Sequence, residues 1–191
     1  GGNLWLNRWS KKINPSISAI KQANNSLGGT KRILVTLQLA VPQLLLEAIS
    51  ASPSAWVWMI RFHPSREMKL RVSDMGQWLE IGHPGVEFER SNTSNLCELL
   101  NDCDVHVTEN SGCVLEALFF GVPTVLLGAS EFGDIGKFCY RLFIEKKLMR
   151  LVDTVSDVIS EIDTATRLDP SSKEITDFFA DNDVARVSLS M

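Results

Sequence analysis

Two short runs, Ile33-Leu34-Val35 and Val125-Leu126-Leu127, are apolar at every position instead of at every second one. A strand with no polar face must be covered on both sides, which is the condition of a parallel sheet packed between helices. Similar runs recur through the chain and alternate with helical patterns. The strand candidates are Arg32–Leu37, Ala55–Phe62, Val86–Phe88, Asp104–Val107, Pro123–Leu127 and Met149–Val152. Helical candidates are Pro42–Ser50, Glu67–Ile81, Ser94–Asn101, Ser111–Phe120, Gly136–Lys147, Val155–Ala165 and Ser171–Phe179. This alternation predicts an α/β fold: a doubly wound, mainly parallel, six-stranded Rossmann-like sheet with helices on both faces.

The 191 residues suffice for one such domain with appendages, and 45% of them are hydrophobic, which excludes disorder as the main state. The expected division is a linker or docking arm over 1–30, the sheet domain over 31–168 and a C-terminal helix and tail over 169–191. Trp5 and Trp9 in the arm are expected to pack against another surface, a missing domain included.

Nineteen basic residues against twenty-three acidic ones leave a net charge of −4 without a basic cluster, so neither a nucleic-acid groove nor an anionic-membrane patch is expected. Cys97, Cys103, Cys113 and Cys139 form no C-x-x-C pair and the histidines show no ligand spacing. Buried reduced thiols, not structural zinc, follow. No signal peptide opens the chain, and Glu116, Gly121 and Pro123 interrupt its best apolar run, so no membrane span is expected. The sequons at Asn24 and Asn92 are read as coincidental, and a cytoplasmic, reducing location is the expectation.

In doubly wound folds ligands bind beyond the C-terminal ends of the strands, where the strand order reverses. The first strand ends Thr36-Leu37-Gln38 with no glycine fingerprint after it, which argues against a dinucleotide enzyme. A phosphate-binding Walker loop and a pair of receiver-type acidic residues are absent too. The second strand ends at His63-Pro64, and the proline biases His63 towards an extended conformation at the strand tip, where its imidazole can donate to a phosphate oxygen. A surface turn is the plainer reading of His-Pro, and it is the one given to His83-Pro84-Gly85.

The fourth strand runs into a polar turn containing Asn110, and a helix opens near Ser111. The amides of Ser111, Gly112 and Cys113 would then point outward at the positive end of the helix, an anion site. Glu116 lies one turn on, among Val114, Leu115, Ala117 and Leu118, where a carboxylate needs a partner; the hydroxyls of a ribose would supply one. His106, in mid-strand, is read as a structural histidine. Phe88, Arg90 and Ser91 follow the third strand and could bracket a nucleobase, although an ordinary capped loop explains each residue singly.

Taken in order, the strand ending in His63-Pro64, Leu99-Leu100-Asn-Asp-Cys103-Asp104-Val-x-Val-Thr, Ser111-Gly112-x-x-x-Glu116-Ala117 and Gly121-x-Pro123-Thr124 form a recognisable set. Over roughly Lys31 to Ile162 the chain resembles the C-terminal, nucleotide-sugar-binding domain of GT-B glycosyltransferases. The likeness is to bacterial surface-polysaccharide enzymes with His-Pro motifs, sialyltransferase-like and CDP-glycerol-transferase-like proteins among them. Non-hydrolysing UDP-N-acetylglucosamine 2-epimerases share the arrangement.

The resemblance implies that His63 stabilises the leaving phosphate, with Asn110, Ser111, Gly112 and Cys113 at the phosphate turn. Glu116 would hold the ribose, and Phe88, Arg90 and Ser91 the base. It implies metal-independent transfer from a CMP-, CDP- or UDP-linked donor, with no other cofactor, to a polysaccharide or glycolipid acceptor. The acceptor site and catalytic base would lie in a missing N-terminal domain, through which the protein could sit peripherally at the inner membrane face.

Two departures stand out. Glu109 and Glu116 are one residue closer together than the paired glutamates of the retaining pattern, and the epimerase pattern places its glutamate one residue later after Ser-Gly. The stereochemical class stays open. An epimerase-like domain and a non-catalytic α/β binding module are the alternatives.

Overall fold

The computed structural model describes residues 30–38, 41–63, 76, 78, 80–129 and 133–180. Six strands, β1 (Arg32–Leu37), β2 (Val57–Phe62), β3 (Val86–Glu87), β4 (Val105–Thr108), β5 (Thr124–Leu127) and β6 (Met149–Val152), form one sheet. The order is β3-β2-β1-β4-β5-β6, with every neighbouring pair parallel. The chain winds outward from β1 to β3, then returns to place β4 on the other side of β1. The strand order therefore reverses between β1 and β4, and this is the crevice where an α/β sheet holds its ligand.

Between the strands lie α1 (Gln43–Ala51), α2 (Glu89–Thr93), α3 (Leu96–Asp102), α4 (Cys113–Phe119), α5 (Gly133–Cys139), α6 (Arg141–Glu145) and α7 (Val155–Thr164). Lys31–Pro170 form one compact unit. A second unit groups the two chain ends, and its described part contains α8 (Lys173–Ala180). The expected arm with Trp5 and Trp9, and most of the expected helix 67–81, lie outside the described residues. Among the described residues no helix is long and apolar enough to cross a membrane.

Alternation along each strand separates two buried faces of different character. Ile33, Val35 and Leu37 of β1 join Trp58 and Ile60 of β2, Val105 and Val107 of β4, and Val125 and Leu127 of β5. This wholly apolar face is covered by Leu44, Leu45, Ala48 and Ile49 of α1 and by Val158 and Ile162 of α7. Trp58 is fully buried there, and its indole N–H finds the acceptor it needs in Ser52 Oγ at 3.0 Å.

On the opposite face His106 of β4 lies beside Thr124 of β5, and Thr36 of β1 stands two residues along from Leu34, the register partner of His106. His106 Nε2 is 2.8 Å from Thr36 Oγ1 and its Nδ1 is 3.1 Å from Thr124 Oγ1, so a neutral ring donates to one hydroxyl and accepts from the other. Burial drives the His106 pKa from 6.5 down to about 3. The structural role read for this histidine is the one observed.

Several boundaries differ from expectation for local reasons. The expected helix Gly136–Lys147 is two helices broken at Tyr140, whose hydroxyl donates to the Ser111 carbonyl at 2.7 Å. Residues 89–93, expected as a loop, form α2 because the Glu87 carboxylate accepts the amides of Arg90 (2.5 Å) and Ser91 (3.2 Å). Helix α3, expected from Ser94, starts at Leu96 with Asn95 as its cap, whose side chain accepts from the Cys97 amide at 2.9 Å. Gly121 ends α4 as expected, with a φ of 65° that favours glycine.

β3 spans only two residues, and the Asn92 amide continues its work along β2. Asn92 accepts from the Phe62 N–H at 2.9 Å and donates to the Ile60 carbonyl at 2.8 Å, satisfying strand edge that β3 does not reach. Arg167 closes the far side of the unit. Its guanidinium donates to the carbonyls of Leu100 and Asn101 in the last turn of α3 and of Cys103 just after it, and to Phe120 after α4, placing a cation on two helix C-termini.

Candidate functional site

A cleft of about 290 Å³ opens at the C-terminal edge of β1, β2 and β4, over the reversal of strand order. Thr36, Leu37 and Gln38 contribute from the end of β1, and Arg61, Phe62 and His63 from the end of β2. Leu96 adds an apolar contact at the start of α3, while Ser111, Gly112, Cys113 and Glu116 come from the β4–α4 turn and α4 itself. His63, Ser111, Gly112, Cys113 and Glu116, candidates far apart in the chain, thus share one cavity.

The turn is held from three directions. Gln38 Nε2 donates to Ser111 Oγ at 3.3 Å, tying β1 to the turn across the crevice. Thr108 Oγ1 donates to the Thr36 carbonyl at 2.9 Å and accepts the Ser111 amide at 3.2 Å. From α5–α6, Tyr140 supports the Ser111 carbonyl, and Gly136 sits so close to the Glu109 carbonyl that no Cβ would fit between them.

These bonds correct the expected array of outward amides. The Ser111 amide is taken by Thr108 Oγ1, and the Cys113 amide lies 3.3 Å from Ser111 Oγ. Hydroxyls spaced two and three residues back cap the start of α4 from within. Gly112 is exposed, and a Cβ built on it would meet nothing within 4 Å. At this point a ligand can come close to the main chain.

Glu116 is half-buried, and its Oε2 is shielded from solvent without a hydrogen-bond partner. Burial raises its carboxyl above the usual 4.5. Burial likewise pushes the Cys97 thiol up to about 11, with the Glu116 charge adding to the effect, and raises Cys113. Thiols held protonated are poor nucleophiles, so the cysteines in and beside the cleft act as packing residues. All four cysteines are free.

The remaining candidates lie elsewhere. Phe88 does not line the cleft: it stacks on Phe62 with ring centroids 6.1 Å apart and meets the Trp78 edge at 5.5 Å. Arg90 pairs with Asp102 at 2.6 Å, a carboxylate that also binds Arg32 at the start of β1. Ser91 is fully buried, its hydroxyl donating to the Ile60 carbonyl at 2.6 Å. Asn110 is half-buried at the turn, and its carbonyl accepts from Tyr140 at 3.3 Å. His83 is a turn residue whose Nδ1 accepts from the Gly85 amide at 3.1 Å.

Arg61 and Phe62 are among the lining residues that the sequence reading did not single out. Arg61 stands two positions before His63, so strand alternation alone places it on the same side. Phe62 carries the apolar wall that was assigned to Phe88. Among the described residues, no group of three or more His, Cys, Asp or Glu could hold a metal ion.

The six-stranded parallel sheet with flanking helices is an α/β, Rossmann-like fold. No protein-family model and no curated protein matches the chain. Among solved structures, a histidine-to-asparagine variant of the wall teichoic acid polymerase TagF, soaked with CDPG, matches with a TM-score of 0.55 at 16% identity. That match covers 90% of this chain and 42% of the other. A histidine-to-alanine variant of TagF matches with a TM-score of 0.53 at 14% identity, over 93% of this chain and 44% of the other. The chain therefore spans less than half the length of these structures, and at such identities the likeness is one of fold.

Proposed function

We propose that this chain is the donor-binding half of a glycosyltransferase. In this reading it holds a nucleotide-activated sugar, or sugar-like group, for transfer to a polysaccharide or glycolipid acceptor. The observation that carries the reading is the convergence of His63, Gly112 and Glu116 on one cleft at the reversal of strand order. Nothing in local sequence requires residues so far apart to meet there.

The roles follow from the chemistry of each group. The Glu116 carboxylate accepts hydrogen bonds from the ribose hydroxyls, giving its unpartnered oxygen a donor. Phe62 and Leu96 supply an apolar wall for the base. The phosphates lie against Gly112 and His63. As the bond from the sugar carbon to the phosphate oxygen breaks and the acceptor oxygen bonds that carbon, negative charge gathers on the departing nucleotide. A hydrogen bond from the His63 imidazole stabilises it there, without a metal ion. The acceptor site and the base that takes the acceptor proton belong, in this proposal, to a second α/β domain outside this chain.

Titration with CMP, CDP, UDP and GDP, followed by amide chemical shifts, tests the reading. Saturable shifts at Gly112, Cys113 and Glu116 are expected with at least one nucleotide. Preference for cytidine over uridine would point to a cytidine-linked donor and away from the epimerase alternative. Silence with all four would leave a non-catalytic module.

A further inference from the structure

Arg61, which none of the site assignments above uses, lines the cleft beside His63. Its guanidinium is fastened through one nitrogen: Nη1 donates to the Ser91 carbonyl at 2.6 Å and to the Ser94 carbonyl at 2.9 Å. Both acceptors belong to the C-terminal end of α2, a position that suits a cation. Among the described residues, the Nε and Nη2 donors have no partner and no carboxylate forms an ion pair with Arg61. A half-buried guanidinium with a fixed plane and a spare pair of parallel N–H groups is the side chain best suited to grip two oxygens of one phosphate.

The rest of the cleft gives that cation a polarity. Glu116 lines the same cavity without pairing with Arg61, so the cleft holds separated groups of opposite charge. Arg61 acts towards the opening turn of α4: burial raises the Cys113 thiol, and the Arg61 charge is among the influences that oppose the rise. Two of the three amides first expected to bind phosphate are consumed inside the turn, which leaves a place for another source of positive charge.

We propose that Arg61 is the diphosphate-binding residue of this cleft, and that it orients the ligand with phosphates towards β2 and hydroxyls towards Glu116. The fork of Arg61 and the imidazole of His63 lie on one strand end, and the glycine-opened turn belongs to another. The donors thus come from two separate strand ends, and a diphosphate, which can engage both at once, is favoured over a monophosphate. This deepens the donor-binding reading of the same cleft, and rests on it for the nature of the complete ligand.

The test uses inorganic pyrophosphate and orthophosphate on the full chain, observing the Arg61 Nε–Hε resonance. Pyrophosphate should shift that signal saturably and bind at least tenfold more tightly than orthophosphate. Arg61→Gln should weaken pyrophosphate at least tenfold, Arg61→Lys by less, and Glu116→Gln should bind it as well as wild type or better. An Arg61 signal unmoved by pyrophosphate, or an Arg61→Gln variant that binds it normally, overturns the proposal. The wild-type measurement stands even if the variants fold poorly. CDP binding unaffected by Arg61→Gln would remove Arg61 while keeping the donor reading. Pyrophosphate held at Arg61 but displaced by no nucleotide would do the reverse.

Discussion

The Tyr140 hydroxyl reaches from the break between α5 and α6 to the main-chain carbonyl of Ser111, 2.7 Å away and buried. Through this bond, a side chain outside the cleft fixes the turn that forms one of its walls. Tyr140→Phe removes the bond and leaves the Ser111 carbonyl with only the longer contact from the Val114 amide, at 3.3 Å. The expected loss of stability is about 0.5–1.5 kcal/mol in denaturant unfolding, with a several-fold weaker nucleotide affinity. Unchanged affinity would show that the turn holds its shape without Tyr140.

Gly112 and Gly136 make a matched pair. At Gly112 a methyl group enters open space from an ordinary helical backbone, so Gly112→Ala should keep wild-type stability while weakening any ligand that touches the main chain there. At Gly136 the methyl group would collide with the Glu109 carbonyl, and Gly136→Ala should cost roughly 1–3 kcal/mol. Thermal melts and nucleotide titrations on the two variants separate binding from folding. If Gly112→Ala binds nucleotide normally, the phosphates do not lie against that turn.

Glu116 sets binding against stability. Its folded-state pKa lies above the unfolded value, so the folded protein holds this proton more tightly than the unfolded chain does. Stability is therefore lost as pH rises through the raised value, and the loss persists at neutral pH. Glu116→Gln should make the protein at least as stable as wild type at pH 7 while weakening nucleotide binding tenfold or more. Wild-type affinity should also fall as pH drops and the carboxylate protonates. Calorimetry at two pH values reads both effects.

His106 behaves in the opposite sense. Its folded pKa of about 3 lies below the unfolded 6.5, so acid protonates the unfolded chain first. Each pH unit below about 6.5 should cost roughly 1 kcal/mol until about pH 3. His106→Asn should be less stable at pH 7 yet lose that part of the acid slope, which urea unfolding from pH 7 to 4 would reveal.

The frame of the molecule was legible because it depends on local pattern. Arg32–Leu37 stands where its apolar run placed it, since a strand covered on both sides leaves few alternatives, and the edge strand Met149–Val152 keeps its expected bounds with Arg150 exposed. The meeting of His63 with Glu116 was inferred from the topology of such sheets. What sequence did not reveal was how polar groups would be spent. Ser91 and Arg90 look equally available in a string of letters. Their fates were decided by Ile60 and Asp102, partners roughly thirty and twelve positions away along the chain. The break at Tyr140 was hidden for the same reason, because the bond that accompanies it ends on another element.

The row of Thr36, His106 and Thr124 has a bearing on how the chain avoids wrong pairings. In an all-apolar parallel sheet, sliding β4 by one residue would cost little more than altered packing. Here such a slip would press an imidazole into the hydrocarbon beneath α1 and strand two threonine hydroxyls. The three side chains thus work as a key cut for a single lock, giving the sheet one admissible alignment and holding the crevice of the β1 and β4 ends at a constant shape.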